Sequence, residues 1–413
     1  MLAALAVFVD GWTVDAAVSV AGIDEDTSLD MLDRLAGHSL IFAVQGSDGS
    51  RFRMLETIRE TSAELLAEAS RDAGTHHRHA AFFRKFLEDT VWPLPDENAW
   101  ADRLQAEEGN LRLAVQWFLA NDIAPLPHMF RLLWRFWQLR DRMTEGRSWI
   151  ERLLPRAAEL DDLAQAELWL AAAMTALEVG DDEKATVASA EIERLRGRIE
   201  DPYLLSAIDM ALSWSLPIAD DYEGAALAAS RAVEGFREQD EPFMAANAVF
   251  TLGMLEIATA SYADAEMHLA EVHAAGSLFG DNWLTAVACV QLASLALKAG
   301  EIEKARDLFE ESLVKSLDTE RSTLMVTFSL VAFAEIALAT GEPLQAARAL
   351  GAVDGLRTRA GLRPWPLVRR SEARLLEAVQ GALSSPQFRE ASITGSQLSQ
   401  RDSIAMMHVN TPT

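Results

Sequence analysis

Residues whose types and spacing could support chemistry are few in this chain. His76, His77 and His79 form the one local concentration of metal-ligand side chains. On a helix this spacing brings at most His76 and His79 to one face. No neighbouring cysteine or carboxylate completes a ligand set, so the expected role is the polar start of a helix ahead of Phe82 and Phe83. The single cysteine, Cys289, excludes an internal disulfide and any all-thiolate zinc or iron–sulfur site, and it fits a reducing cytoplasm. No H-E-x-x-H or G-x-S-x-G string occurs, which leaves zinc-protease and serine-hydrolase chemistry without a foothold. Nor is there a G-x-x-x-x-G-K-S/T string to cradle phosphates and hold magnesium. The expectation is a chain that is not an enzyme, with no catalytic residue, no cofactor and no metal site of its own.

Binding candidates are clearer. Seven of the eleven tryptophans fall at Trp92, Trp100, Trp117, Trp134, Trp137, Trp149 and Trp169, with Arg135, Arg140, Arg142 and Arg147 among them. Aromatic area beside guanidinium groups suits a ligand pocket, while core packing where a first domain meets later helices explains the same cluster. Trp134 and Trp137 read mainly as core. Trp134, Arg135, Trp137 and Arg140 are the candidate partner-binding residues.

Charge narrows the partner. With 63 acidic and 37 basic side chains the formal charge is −26, a balance that repels phosphate, so direct nucleic-acid binding is not expected. Composition, at 50% hydrophobic and 24% charged, is that of a folded protein of about two to three domains. The apolar start from Met1 to Val9 is broken by Asp10, too short for a bilayer of about 30 Å, and reads as a buried helix. No membrane partner is expected.

The elements that would position such residues follow from an internal period. Ala185, Ala225, Ala265, Ala305 and Ala346 follow turn-like acidic or glycine segments at spacings of 40, 40, 40 and 41. A second ladder, Ala173, Ser213, Gly253, Ala293 and Ala334, runs twelve residues earlier at the same spacings. Two locked ladders of small residues predict stacked antiparallel helix pairs whose backbones approach closely at those positions. Apolar spacing agrees: Leu204, Leu205, Ile208 and Leu212 share one helical face, as do Leu308, Phe309 and Leu313. The concave surface of such an array is the default recognition surface and is expected to be acidic. The runs Glu178 to Glu183 and Asp220 to Glu223 fall at turns, where a solvated edge accounts for them.

The first part of the chain differs. A helical start ending at Asp10 and Gly11, a helix from Thr13 to Val20 and a third from Ser28 to Gly37 precede a strand from Ser39 to Val44. A turn at Gly46 to Gly49 and a partner strand from Arg51 to Met54 follow, then a helix from Leu55 through Ala69. Helices followed by a small hairpin make a winged-helix pattern. The third helix offers Asp30 and Asp33 against Arg34, with His38 after it, which argues against base reading. A polar helix end accounts for His38.

Leu252-Gly253, Ala265 and Leu269, then Leu292-Ala293, Gly300, Ala305 and Phe309, resemble tetratricopeptide repeats. The period exceeds that motif's usual figure of about 34, so longer helices or loops must absorb about six residues per repeat. Further strings carry a wider resemblance: Leu5–Thr13 (LAVFVDGWT), Arg53–Glu60 (RMLETIRE), Arg78–Phe83 (RHAAFF), Glu107–Arg112 (EEGNLR), Leu133–Trp137 (LWRFW) and Leu350–Arg357 (LGAVDGLR). Together they are similar to the C-terminal half of bacterial LuxR-type regulators of the STAND class of signal-transducing ATPases. That resemblance implies a winged helix acting as a relay and repeats that sense a signal releasing an inhibited state. It places ATP only on a P-loop domain that these residues do not contain, so the chain reads as a fragment, a late start or a shortened relative.

The resulting expectation is a mainly α chain. Residues 1–72 form a winged-helix-like domain, 73–160 a Trp-rich helical linker with a first degenerate repeat, 161–383 an α-solenoid of tetratricopeptide-like pairs with a period of about 40, and 384–413 a C-terminal cap and tail. The resemblance implies a signal-sensing, non-catalytic half of a cytoplasmic transcription regulator, binding a protein partner or small-molecule inducer on the repeat surface. A freestanding repeat scaffold for protein assembly is the alternative.

Overall fold

Asp10 and Gly11, both at left-handed φ (66° and 94°), end the first apolar run by turning the chain. Gly11 lies against the Phe52 carbonyl, where a side chain has no room. The expected N-terminal helix is therefore a single turn, α1 (Leu2–Leu5), while Ala6, Val7 and Phe8 stay buried without continuing it. Thr13 caps α2 (Val14–Ala21) by accepting from the Ala16 N–H. Helix α3 (Glu25–Gly37) starts three residues before the expected Ser28, because Asp24 supplies the cap through the Thr27 N–H. Strands β1 (Ile41–Gly46) and β2 (Gly49–Met54) pair antiparallel with Ile41 opposite Met54. Trp12 bridges to Phe52, tying the helices to the hairpin. This is the winged helix. The turn residues Ser47 and Asp48 lie outside the described residues, as does Ala69, the expected helix end.

The computed structural model describes residues 1–46, 49–68, 72–90, 97–317 and 323–408. The chain divides into two compact units, Met1–Leu94 with Ala99–Leu133, and Pro95–Asn98 with Trp134–Thr413. In the first, α4 (Glu56–Glu68), α5 (Asp72–Asp89), α6 (Glu97–Ala106), α7 (Glu108–Asn121) and the start of α8 (Leu126–Leu139) follow the wing. The EEGNLR string is a clamp there. Asn110 accepts from the Val9 N–H at 2.9 Å and donates to the Gly11 carbonyl at 3.0 Å and to Glu107 at 2.8 Å. Glu107 in turn pairs with Arg51 of the hairpin.

In the second unit, α9 (Met143–Leu153) leads into five helix pairs. They are α10 (Asp162–Val179) with α11 (Asp182–Arg196), α12 (Pro202–Ser215) with α13 (Tyr222–Glu238), and α14 (Pro242–Ala258) with α15 (Tyr262–Phe279). The last two are α16 (Asn282–Lys298) with α17 (Ile302–Leu317), and α18 (Thr323–Ala339) with α19 (Pro343–Ala360). First helices start at 162, 202, 242, 282 and 323, and second helices at 182, 222, 262, 302 and 343, reproducing the spacings of 40, 40, 40 and 41. Longer helices absorb the extra residues: those of the last three pairs run 16 to 18 residues.

Both small-residue ladders are buried. Ala185, Ala225, Ala265, Ala305 and Ala346 are all 0% exposed, and Ala173, Ser213, Ala293 and Ala334 are at most 1%. At Gly253 a Cβ would stand 3.0 Å from Leu269. A third ladder appears at the turns, where Gly180, Asp220, Ala260, Gly300 and Gly341 take left-handed φ of 62° to 81°. After each, a backbone bond reaches back five residues, from Asp181 to Ala176 through Glu342 to Ala337, satisfying an orphan carbonyl of the preceding helix. Five aspartates serve helix starts: Asp161, Asp181, Asp201, Asp221 and Asp281 each accept an N–H of the helix they precede.

Three helices follow, α20 (Arg369–Gly381), α21 (Ser385–Ser396) and α22 (Gln400–His408). The LGAVDGLR string explains how α21 docks on α19: Gly351 and Gly355 face the Ser392 and Ser396 carbonyls, and Gly395 faces that of Arg348, so closely that a Cβ would collide with backbone. Among the described residues no helix is long and apolar enough to cross a membrane.

Candidate functional site

The candidate site of the second unit is built where α8 ends. Its last residues run onto Arg140 and Asp141, and Asp141 takes a left-handed φ of 52° before α9 begins. Gly146 on α9 lies flat against the Trp137 indole, where a side chain would strike the ring. Trp137 is thereby locked in the interior at 3% exposure. Trp134 is half-buried, and its indole N–H meets no hydrogen-bond acceptor.

Arg135 and Arg140 are interior side chains, 7% and 9% exposed. The Arg135 guanidinium lies 4.7 Å over the Trp283 ring, donates to Gln138 Oε1 at 2.5 Å and stands 3.9 Å from Asp281. Gln138 donates onward to Glu178 at 3.1 Å. Arg140 donates to the Asn98 carbonyl at 3.3 Å. Asp141 accepts from the Thr323 hydroxyl at 2.8 Å and from its N–H at 3.1 Å, placing a carboxylate at the first residue of α18. The end of α8 thus joins the first, fourth and fifth helix pairs in one polar cluster. Of the four candidate residues, Arg135 joins this cluster through Gln138 and Asp281, Trp137 alone lines the cavity described next, and Arg140 turns to Asn98.

Beside this cluster is a cavity of about 520 Å³ lined by Trp137, Gln138, Asp141, Glu178, Thr323 and Arg359, among others. Burial pushes the Glu178 carboxyl up to about 7, against the opposing pull of the Gln138 hydrogen bond and the Arg135 charge. Asp141 keeps an edge open to solvent, and the protein around it raises its carboxyl while the Thr323 hydrogen bonds oppose the rise. A carboxyl poised near neutrality beside a cavity can take or release a proton when a ligand changes its surroundings. Sequence reasoning placed Glu178 in a solvated acidic run; the structure puts it at 6% exposure. Its setting at the end of the apolar stretch of α10 was the available signal.

The tryptophans do not share one pocket. Trp100 and Trp149 are buried and Trp117 and Trp169 half-buried apart from the cavity, and Trp92 lies outside the described residues. The His76, His77 and His79 cluster is dispersed: His79 is 2% exposed and packs at a tilt against Phe8 and Phe83, while His77 lies against Trp117. Burial lowers the His79 ring to about 4, keeping it neutral against Asn110. Among the described residues one set of three metal-ligand types converges, His273, Cys289 and Glu311, with ligand atoms within 4.8 Å of one another. It draws on α15, α16 and α17, so local spacing could not reveal it. His273 bonds Glu311 at 2.8 Å, and burial pushes the Cys289 thiol up to about 12.

A winged helix followed by a helical-repeat solenoid defines the architectural class, and comparisons with known proteins agree with it. Residues 1–67 match the winged helix-turn-helix domain family. Proteins provisionally named as HTH-type transcriptional regulators in Mycobacterium tuberculosis and Mycobacterium bovis are 30% identical over 185 residues, covering 40% of this chain. The chain spans about a fifth (21%) of the length of these curated relatives. A STAND protein with a tetratricopeptide repeat sensor from Pyrococcus horikoshii superposes on 94% of this chain and 64% of its own, with TM-score 0.52 and 17% identity. A Rap protein solved with competence and sporulation factor superposes on 81% of this chain and 99% of its own, with TM-score 0.53 and 13% identity. At these identities the two structures are alike in fold.

Proposed function

We propose that the chain is the signal-sensing, protein- or ligand-binding half of a cytoplasmic bacterial transcription regulator of the LuxR and STAND type, without catalysis of its own. The observation that carries this reading is the cavity with its poised Glu178 inside a repeat array, in a chain whose first 67 residues match a winged helix-turn-helix domain. The similar regulators of Mycobacterium and the sensor-bearing STAND protein of the same fold support it. Nucleotide hydrolysis and base reading would belong to other segments or partners. Within the winged helix, α3 presents Glu25, Asp26, Asp30 and Asp33 against Arg34, a face unsuited to phosphate contacts.

The test is transcript profiling of host cells in which this chain is interrupted by a stop codon, against the parent strain. A regulator changes a reproducible set of transcripts. A scaffold leaves transcription unchanged while a stoichiometric partner copurifies, and that result would replace this reading. Micromolar ATP affinity in titration calorimetry with the purified chain would contradict the non-catalytic assignment.

A further inference from the structure

The connection between α19 and α20 behaves unlike an ordinary loop. Connections normally run exposed over the surface. Here Gly361 ends α19 at a φ of 69°, and the following residues lead to Trp365, Pro366, Leu367 and Val368, all buried. The Trp365 indole stands edge-on to Trp214 of α12, centroids 4.7 Å apart at 89°, and to Phe328 of α18 at 4.8 Å and 63°. Upstream, Arg363 packs over Gly180, which leaves it no space for a side chain. Downstream, Arg369 makes a two-pronged bond to Asp182 at 2.5 and 2.7 Å, and Arg370 bonds Asp220 at 2.6 Å while lying over Tyr222. A ten-residue strap, residues 361–370, thus crosses the first, second and fifth helix pairs, aromatic in the middle and basic at its end.

Its fit is incomplete. The Trp365 N–H is buried without an acceptor. Both ion pairs are partly exposed, at 31% and 40% for Arg369 with Asp182 and 51% and 73% for Arg370 with Asp220, and therefore open to screening. Leu362, at the start of the strap, lines the cavity that holds Glu178.

We propose that the strap is an internal occupant of a peptide-binding cleft, and that the cleft's exchangeable ligand is an extended peptide carrying an aromatic residue beside proline, followed by basic residues. The slot between Trp214 and Phe328 takes the aromatic ring, and Asp182, at the start of α11, and Asp220, at the turn before α13, take the basic side chains. This identification rests on the binding role proposed above and names the partner's chemistry. A strap open in about 1–10% of molecules lowers the apparent affinity for such a peptide about 10–100-fold relative to a chain whose strap cannot close.

The experiment is fluorescence anisotropy with a labelled synthetic peptide of the sequence of residues 361–370, titrated with the full chain and with Trp365→Ala. The expected result is binding by Trp365→Ala at least about tenfold tighter than by the parent chain. That affinity should weaken with salt and with added Asp182→Asn and Asp220→Asn, while a scrambled peptide does not bind. Should Trp365→Ala fail to fold by circular dichroism, Arg369→Gln with Arg370→Gln frees the basic anchor, leaves the aromatic packing in place, and should likewise tighten peptide binding. Equal affinity for the scrambled peptide, or no gain in either folded variant, overturns the proposal. Peptide capture without any transcript change in the stop-codon strain would keep the cleft and discard the regulatory role, whereas transcript change without peptide capture would do the reverse.

Discussion

Glu178 and His79 are interior groups with opposite consequences for pH. The Glu178 carboxyl sits at about 7 in the fold against an ordinary 4.5, so between those values the folded chain holds a proton that the unfolded chain has released. Its stabilising contribution is complete below 4.5 and is lost as pH rises through 7. Glu178→Gln should flatten that dependence and raise the melting temperature of the second unit at pH 8, a gain differential scanning calorimetry would read; an unchanged pH slope would contradict the burial argument. His79 sits at about 4 against 6.5, so its contribution is present above 6.5 and is lost as pH falls through 4. In the first unit, Asn110→Ala strands the Val9 N–H and Gly11 carbonyl and should cost about 2–3 kcal/mol in urea unfolding. The family strings were visible as residues, but the clamp made by Asn110 and the glycine contacts of Gly351 and Gly355 needed the structure. Their partners lie about a hundred and about forty residues away.

At the scale of elements, the repeat is set by turns as much as by packing. Four of the five ladder turns use Gly or Asp at left-handed φ, while Ala260 accepts the same conformation at 65° with the Cβ penalty. Ala260→Gly should therefore stabilise by about 1 kcal/mol, seen as a raised urea midpoint with unchanged slope. Ala265→Leu on the fully buried ladder should destabilise by about 1–3 kcal/mol through overpacking. An Ala265→Leu chain as stable as its parent would refute the close approach inferred there. The period, the ladders and the helix pairing were legible because each repeat meets the same steric demand. Helix starts were read less well, as at α3, because Asp24 and Ser28 are both chemically able caps and only the chain's path selects between them. The polar cluster was not legible: Gln138, Glu178, Asp281 and Thr323 come from four separate helix ends or starts, far apart in sequence, that meet only in the folded array.

At the scale of the molecule, the fold gives part of the acidic excess behind the net charge of −26 a structural role. Aspartates cap helix starts and meet the basic end of the strap, the remaining acidic excess repels phosphate, and the account predicts no salt-sensitive mobility shift of duplex DNA by the purified chain. Such a shift would show that the acidic α3 face does not govern the winged helix. The central claim is that the cavity beside Glu178 is where a signal acts. Thr144 lines that cavity from an exposed position on α9, so Thr144→Trp fills it without disturbing packed core. The most direct measurement is the transcript profile of host cells carrying Thr144→Trp, with melting of the purified variant as control. The account predicts a folded chain whose regulated transcripts shift as they do when the chain is interrupted, or lock in one state. A folded variant with the parent's transcripts and response would contradict it.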